Sequence, residues 1–587
     1  MRSTSVTSDK RGAQPAIQAA IRACRGALAS AAVLSGFINV LLLTGSFYML
    51  QVYDRVMTSR SISTLVALTI VTAILFAFMG LFEWLRLRLM SRVGAQIEED
   101  LRQGAFEAVL TRTVEGKCNT GIQPVRDLAT VRQFVSGPGL VSLFDVPWAP
   151  VYLIVCYLFH PLVGFYALLG ALILLALALL NEVMTCKTIG DAGNAWIRAQ
   201  LMTEEARRSA EVMHAMAIMP RYRERWSAQV AQAQALNTLA ADRTSNVAAV
   251  SRTLRMFLQS AVLGIGAALA IKGEISPGVM IASSILMARA VAPIDQLILQ
   301  WRSLVLTRKA YQRLKLMLGT AEPRAEPMPL PKPRGRVTVE PLSMRAPSTG
   351  RLILQIAGFA LEPGDALGII GPTGSGKSTL ARALVGVWQP ERGAVRLDGA
   401  ALDQWPPEQL GRAIGYLPQD VEVLSGTVQD NIARFEPAPD PDKVAEAARR
   451  AHAHDMILQL PDGYGTELGE GGANLSAGQR QRIGLARAFY DDPVLLVLDE
   501  PNSNLDTVGE IELTASLEEA REQGTTVIVI AHRRSILKCV NKILVLNAGL
   551  QMAVGPKQDI LSRLLQPPAE TPQADRKAAD LLSRAQA

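Results

Sequence analysis

Long uncharged apolar runs alternate with charged, helix-patterned stretches through the first half of the chain. The second half gives way to short apolar runs bounded by turn residues. Ala27 to Tyr53 carries no charge, and neither does Ser61 to Phe82. A membrane-crossing helix needs about 20 apolar residues, so each run is long enough. Val146 to Asn181 is a third uncharged stretch, broken by His160-Pro161. It predicts two spans joined by a tight turn, the first beginning near Leu140. Met256 to Ile271 predicts a fifth span, and Ile275 to Ile298, which contains Arg289 and Asp295, a sixth. The charged segments 87–139 and 185–253 keep a helical pattern and are expected to continue the spans into the cytoplasm.

Orientation follows from basic residues near span ends. Arg86, Arg88 and Arg92 follow the second span, Lys187 follows the fourth, and Arg252 and Arg255 precede the fifth. Both termini are therefore expected on the cytoplasmic side. Arg289 within an apolar segment is costly unless it faces a wet cavity or a partner. It is expected either to line a cavity for a polar substrate, or to snorkel or pair with Asp295 or Glu83. Thr320 to Arg336 holds five prolines and predicts an extended, semi-rigid linker. The expected organisation is an N-terminal segment 1–26, a transmembrane domain 27–319, a linker 320–336, a second domain 337–565 and a disordered tail 566–587.

Composition agrees with this division. The 587 residues are 49% hydrophobic and 19% charged, with a mean hydropathy of +0.19. The net charge of +7 fits basic loops beside anionic lipid. There is no Lys/Arg stripe interleaved with aromatics, so nucleic acid is not an expected partner. The five scattered cysteines argue against a disulfide framework or a zinc site.

The second half carries the chemistry. Gly371-Pro372-Thr373-Gly374-Ser375-Gly376-Lys377-Ser378-Thr379 follows the apolar run Ala366 to Ile370 and opens a helical pattern. Glycines let backbone N–H groups curl around phosphate oxygens, and a helix start adds its dipole. Lys377 is placed to contact the β- and γ-phosphates, and Ser378 to ligate Mg²⁺. Val494 to Leu498 reads as a strand buried on both faces and ends in Asp499-Glu500. Asp499 is placed for the Mg²⁺ shell, and Glu500 is the candidate general base for an attacking water. His532 stands just past another buried strand, Val527 to Ile530, and is a candidate γ-phosphate contact. Leu475-Ser476-Ala477-Gly478-Gln479 precedes an amphipathic helix and makes a second anion-binding helix start.

These motifs together, over about residues 337–560, resemble the ATP-binding cassette (ABC) family. The resemblance implies a multi-domain chain: an all-α six-helix transmembrane exporter domain followed by an α/β P-loop ABC nucleotide-binding domain, using ATP and Mg²⁺. It makes Leu475–Gln479 the signature motif, whose Ser476, Gly478 and Gln479 complete the P-loop site of a second copy, and so implies a homodimer. It makes Gln419 the Q-loop residue, a catalytic and Mg²⁺-sensing position. Asp506 becomes the D-loop residue of the shared ATP site, and Glu470 part of a coupling loop. Many cassettes stack adenine on an aromatic upstream of the P-loop. Val337 to Pro347 holds none, which leaves Arg345, Pro347 or a neighbour.

Four stretches of the membrane half narrow the resemblance: Phe144 to Pro150, Gln259 to Gly264, Pro277 to Leu286 and Arg289 to Pro293. They look like the type I secretion permease/ATPases that export proteases and RTX-type proteins. That branch implies a bacterial inner-membrane homodimer with a periplasmic membrane-fusion adaptor and an outer-membrane tunnel protein. It implies an unfolded polypeptide substrate with a C-terminal secretion signal. Some related exporters carry an N-terminal peptidase-like domain, which the 26 residues before the first span are too few to hold. The alternatives are a lipid or small-molecule exporter of the same architecture, or a nucleotide-gated regulator, which the presence of Glu500 disfavours.

Overall fold

The computed structural model describes residues 16–114, 122–318, 328–346, 350–531 and 536–565. His532, Cys118, Pro347, residue 319, residues 320–327 of the expected linker, residues 1–15 and the tail 566–587 lie outside the described residues. The chain forms two compact units: among the described residues, 16–113 and 122–318 make the first, and Val114 with residues from 328 onward the second.

The first unit is helical. Among the described residues, six helices are long and apolar enough to cross a membrane: Arg25–Ser59, Ile62–Val114, Pro138–Phe159, Pro161–Arg208, Met219–Ile271 and Pro277–Leu318. Each of the last three runs well beyond the apolar run that announced it, because the charged flanks keep good helix formers in register. The breaks have local causes. Arg60 turns left-handed (φ 54°) and ends the first helix. His160 is extended, its Nδ1 accepts the Leu162 N–H, and Pro161 starts the next helix where a missing donor costs nothing.

The first helix contains a π-helical segment, Val52–Val56, that carries Asp54. The Asp54 carboxylate accepts the Gly278 N–H at 2.8 Å and the Ser276 hydroxyl, and so caps the last helix. A Cβ on Gly278 would collide with that carboxylate, so a larger residue there would displace the Asp54 cap. A second polar cluster ties the first three spans. Arg86, almost fully buried, bonds Ser35 Oγ (2.9 Å), Asp145 (3.0 Å) and both oxygens of Glu83. Asn39 reaches the same Asp145 oxygen, and Tyr152 donates to Asn39. Both terminal nitrogens of Arg86 are met, although its Nε is buried without a hydrogen-bond partner, and a buried charge held this way restricts the helices' rotation.

The expected partners of Arg289 are therefore taken. Glu83 serves Arg86, and Asp295 pairs with Arg255 at 2.7 Å and accepts from Ser251. Arg289 itself is exposed. Pro293, one turn on, cannot donate to its carbonyl.

The second unit is built on an eight-stranded sheet. Its order is Leu342–Arg345, Leu352–Ile356, Leu550–Pro556, Lys542–Asn547, Ala366–Ile370, Thr526–Ile530, Leu495–Asp499, Ile414–Leu417. The last five are mutually parallel. Leu495–Asp499 and Thr526–Ile530 are buried at every residue, as a sheet covered on both faces requires. A four-stranded antiparallel sheet holds Val337–Val339 between Phe359–Leu361 and Val395–Leu397. Residues 334–336, at the end of the expected linker, donate their backbone N–H groups to the Asp398 carboxylate.

Asp365 immediately precedes the P-loop strand Ala366–Ile370. It accepts from Lys542 Nζ (2.7 Å), Asn541 Nδ2 (2.9 Å) and the Glu362 N–H (2.8 Å). Burial pushes its carboxyl up, but these partners outweigh burial and hold it below the ordinary value. A depressed carboxylate contributes stability that is present above its unfolded pKa and lost as pH falls through the folded one. Asp365→Asn is expected to cost about 1–3 kcal/mol near neutral pH. Its apparent Tm should approach that of the wild type below about pH 4. A gap that widens on acidification would contradict the assignment.

Candidate ATP site

The P-loop grows from the carboxyl end of Ala366–Ile370, and the helix Lys377–Leu384 follows it. Gly374 (φ 80°) and Gly376 (φ 92°) take conformations that a side chain would resist. A Cβ on Gly371 would strike the Leu546 carbonyl. The loop is thus shaped by close backbone approach. Pro372, Thr373 and Gly374 are exposed, whereas Ser375 and Lys377 are buried and Ser378 and Thr379 half-buried. Lys377 Nζ donates to the Gly371 and Pro372 carbonyls at 2.9 Å each. Burial lowers its pKa, against the pull of Glu500 and Asp499.

One strand separates the P-loop strand from Leu495–Asp499, so both chain ends emerge side by side. Asp499 is 2% exposed and hydrogen-bonds Ser378. Burial pushes its carboxyl pKa up, with Glu500 adding to the effect. Its Oδ1 and the Ser375 hydroxyl are buried without a hydrogen-bond partner. Orphaned oxygens of this kind are costly unless they serve a ligand. An orphaned carboxylate oxygen beside a serine hydroxyl is an oxygen donor set that fits a hard cation such as Mg²⁺. Glu500 is half-buried and left-handed (φ 52°), and its N–H donates to Ile530 O. Gln419 is exposed, two residues past the neighbouring strand Ile414–Leu417.

The signature residues stand apart. Ser476 caps the helix Ala477–Phe489: its hydroxyl accepts the Gln479 N–H, and Gln479 Oε1 accepts the Ser476 N–H. Ser476 and Ala477 are exposed. Among the described residues, no hydrogen bond or ion pair links Leu475–Gln479 to Gly371–Ser378. Asp506 caps the helix Thr507–Glu522 through the Gly509 N–H and is largely exposed. Arg345, one of the residues left open for the base contact, is engaged by Glu391 at 2.7 Å and by the Gly350 carbonyl. Gln481 escaped the sequence reading, although a polar residue on the buried face of an amphipathic helix was the available signal. Its side chain bonds the segment that follows Glu500.

Residues 354–503 match the ABC transporter family. The chain is 45% identical over 562 residues to the type I secretion system ATP-binding protein PrsD of Rhizobium meliloti (strain 1021), covering 96% of each. The chain belongs to the type I secretion ATP-binding proteins of the ABC transporter family. The alpha-hemolysin translocation ATP-binding protein HlyB of Escherichia coli O157:H7 is 30% identical, over 90% of this chain and 76% of that one. LktB of Mannheimia haemolytica, a leukotoxin translocation ATP-binding protein, is 30% identical over 90% of this chain and 75% of its own length. A bacterial Atm1-family ABC exporter with ATP bound shares the fold, with a TM-score of 0.80, 21% identity, and coverage of 94% of this chain and 100% of that one. This ABC exporter binds ATP and couples its hydrolysis to protein export as a multi-pass inner-membrane protein.

Ser375 gives a direct test of the exporter's phosphate cradle. Ser375→Ala removes an orphaned buried hydroxyl, so without nucleotide the apparent Tm should hold or rise. The ATP-induced rise in Tm should shrink, as expected for roughly tenfold weaker binding, or about 1.4 kcal/mol. A variant that loses stability without nucleotide and keeps the full ATP response would contradict this.

Proposed function

We propose that two copies of this chain form the inner-membrane engine that threads an unfolded polypeptide outward. The substrate would carry a C-terminal secretion signal and pass to a periplasmic membrane-fusion adaptor and an outer-membrane tunnel protein. Both termini would face the cytoplasm. The observation that carries the reading is one chain holding six membrane-length helices and, among the described residues, a P-loop with no hydrogen bond or ion pair to the exposed helix start at Ser476 and Ala477. Its similarity to PrsD over nearly its full length supports the choice of substrate class.

In this reading the second wall of the ATP site comes from the other copy. The helix start at the exposed Ser476 and Ala477, with Gly478 and Gln479, closes on the γ-phosphate held by the partner's P-loop. Lys377 leaves its two carbonyls for the β- and γ-phosphates, and the loop's N–H groups hold the remaining oxygens. Ser378, Asp499 and Gln419 would hold Mg²⁺, which supplies charge neutralisation on the phosphates. Glu500 polarises the attacking water, and His532 contacts the γ-phosphate. Asp506 meets the other copy across the shared face. ATP-driven closure and hydrolytic reopening then move the helices that continue from the spans.

Arg289 suits the polypeptide path. It combines an exposed guanidinium with a carbonyl freed by Pro293, so it offers donors and an acceptor to an extended chain.

Proteomics of the host's culture medium tests the reading. With Glu500→Gln, one or a few proteins should vanish from the medium and accumulate in the cells. Arg289→Ala should slow the same proteins without abolishing ATP hydrolysis. An unchanged secreted set, with the Glu500→Gln protein stably inserted, would overturn it.

A further inference from the structure

Gln481 is 1% exposed, and both polar atoms of its side chain serve a single segment. Nε2 donates to the Pro501 carbonyl and, at 3.4 Å, to that of Glu500, and it lies 3.5 Å from Ser503 Oγ. Oε1 accepts the Asn504 N–H at 2.8 Å. The residues so held are those between Glu500 and Asp506. Glu500 needs such support, because a non-glycine residue at φ 52° sits in a sparsely populated region. Its carbonyl also receives the Ser503 N–H at 3.2 Å, which completes a tight turn.

Neighbours on the same helix face act on the same segment. Gly478, three residues before Gln481, lets the Asn504 carbonyl approach: a Cβ there would lie 3.0 Å from it. Arg482, four after Gly478, reaches Asp506 at 3.8 Å and donates to the His452 carbonyl at 2.7 Å. Residues at these spacings share a face. The opposite requirement falls on Ser476 and Ala477, which are exposed at the helix start.

We propose that Gln481 is a positioning residue for hydrolysis. It fixes the turn that aims the Glu500 carboxylate at the nucleotide of its own chain. It also ties that aim to the helix whose first turn closes the partner's site. The proposal rests on the two-copy reading above. Its signature is that Gln481 acts on Glu500 of the same chain, whereas Ser476, one turn away, acts on the other chain's nucleotide.

The test uses full-length protein in lipid nanodiscs, with two affinity tags to isolate mixed dimers. In homodimers, Gln481→Ala should lower kcat for ATP about 10- to 100-fold, as displaced catalytic groups do. KM for ATP should stay within about twofold, because ground-state binding is untouched. Gln481→Glu keeps the volume but loses the amide donor, and should be as slow. It carries the test if Gln481→Ala does not reach the membrane. Wild-type kcat in either variant, or a raised KM with kcat kept, would overturn the proposal.

Mixed dimers then assign the direction. Gln481→Ala on one chain and Glu500→Gln on the other should leave no working site. Both substitutions on one chain beside a wild-type partner should leave one, with activity at least about fivefold higher. The reverse ranking would overturn the proposal by placing the action of Gln481 in the partner's site. A control pair, Lys377→Ala with Ser476→Ala, separates the two failures. Its mixed dimer should recover activity that neither homodimer shows, and no recovery would sink the two-copy reading itself.

Discussion

The ATP site depends on one constraint, the burial of both faces of the parallel strands Ala366–Ile370, Thr526–Ile530 and Leu495–Asp499. A strand covered on both sides has no place for an unpaired polar group along its length. Polar chemistry is displaced to the strand ends, where the chain turns and backbone N–H groups are free. Two of these ends, one strand apart, bring Ser375, Lys377 and Ser378 to Asp499 and Glu500. The same burial leaves an Asp499 oxygen and the Ser375 hydroxyl without partners, a cost that makes sense at a ligand site.

A second constraint acts in the first unit. Its helices expose apolar residues widely, such as Ile70, Leu158 and Phe165, so the outer surface cannot supply uniqueness of packing. Arg86 with Glu83, Asp145, Ser35, Asn39 and Tyr152 supplies it among the first three spans. Asp54 supplies it between the first and last helices by capping Gly278. Hydrogen bonds of this kind fix register where lipid and side chains are equally apolar.

Much of this was legible in the sequence, and the reasons are specific. The glycines of the P-loop announce themselves because only glycine takes φ near 80–90° at Gly374 and Gly376. The uncharged runs announce the spans because charge in lipid is costly. What escaped depended on long-range pairing. Arg289 could not be assigned, because whether Asp295 and Glu83 were free depended on Arg255 and Arg86 in other helices. Gln481 was hidden because an amphipathic helix normally buries apolar residues, and its partners lie about 20 positions further on. The extension of the sixth helix from Ile298 to Leu318 was not read, because hydropathy stops where charge begins, whereas helix propensity does not.

The claim on which the account turns is that a working ATP site takes its walls from two chains. The most direct measurement counts ATP retained by the Glu500→Gln protein in nanodiscs, together with the particle's mass. The account predicts two ATP molecules trapped per particle of two chains, and loss of trapping when Ser476 is also replaced by Ala. One ATP trapped per single-chain particle, unaffected by Ser476, would contradict it.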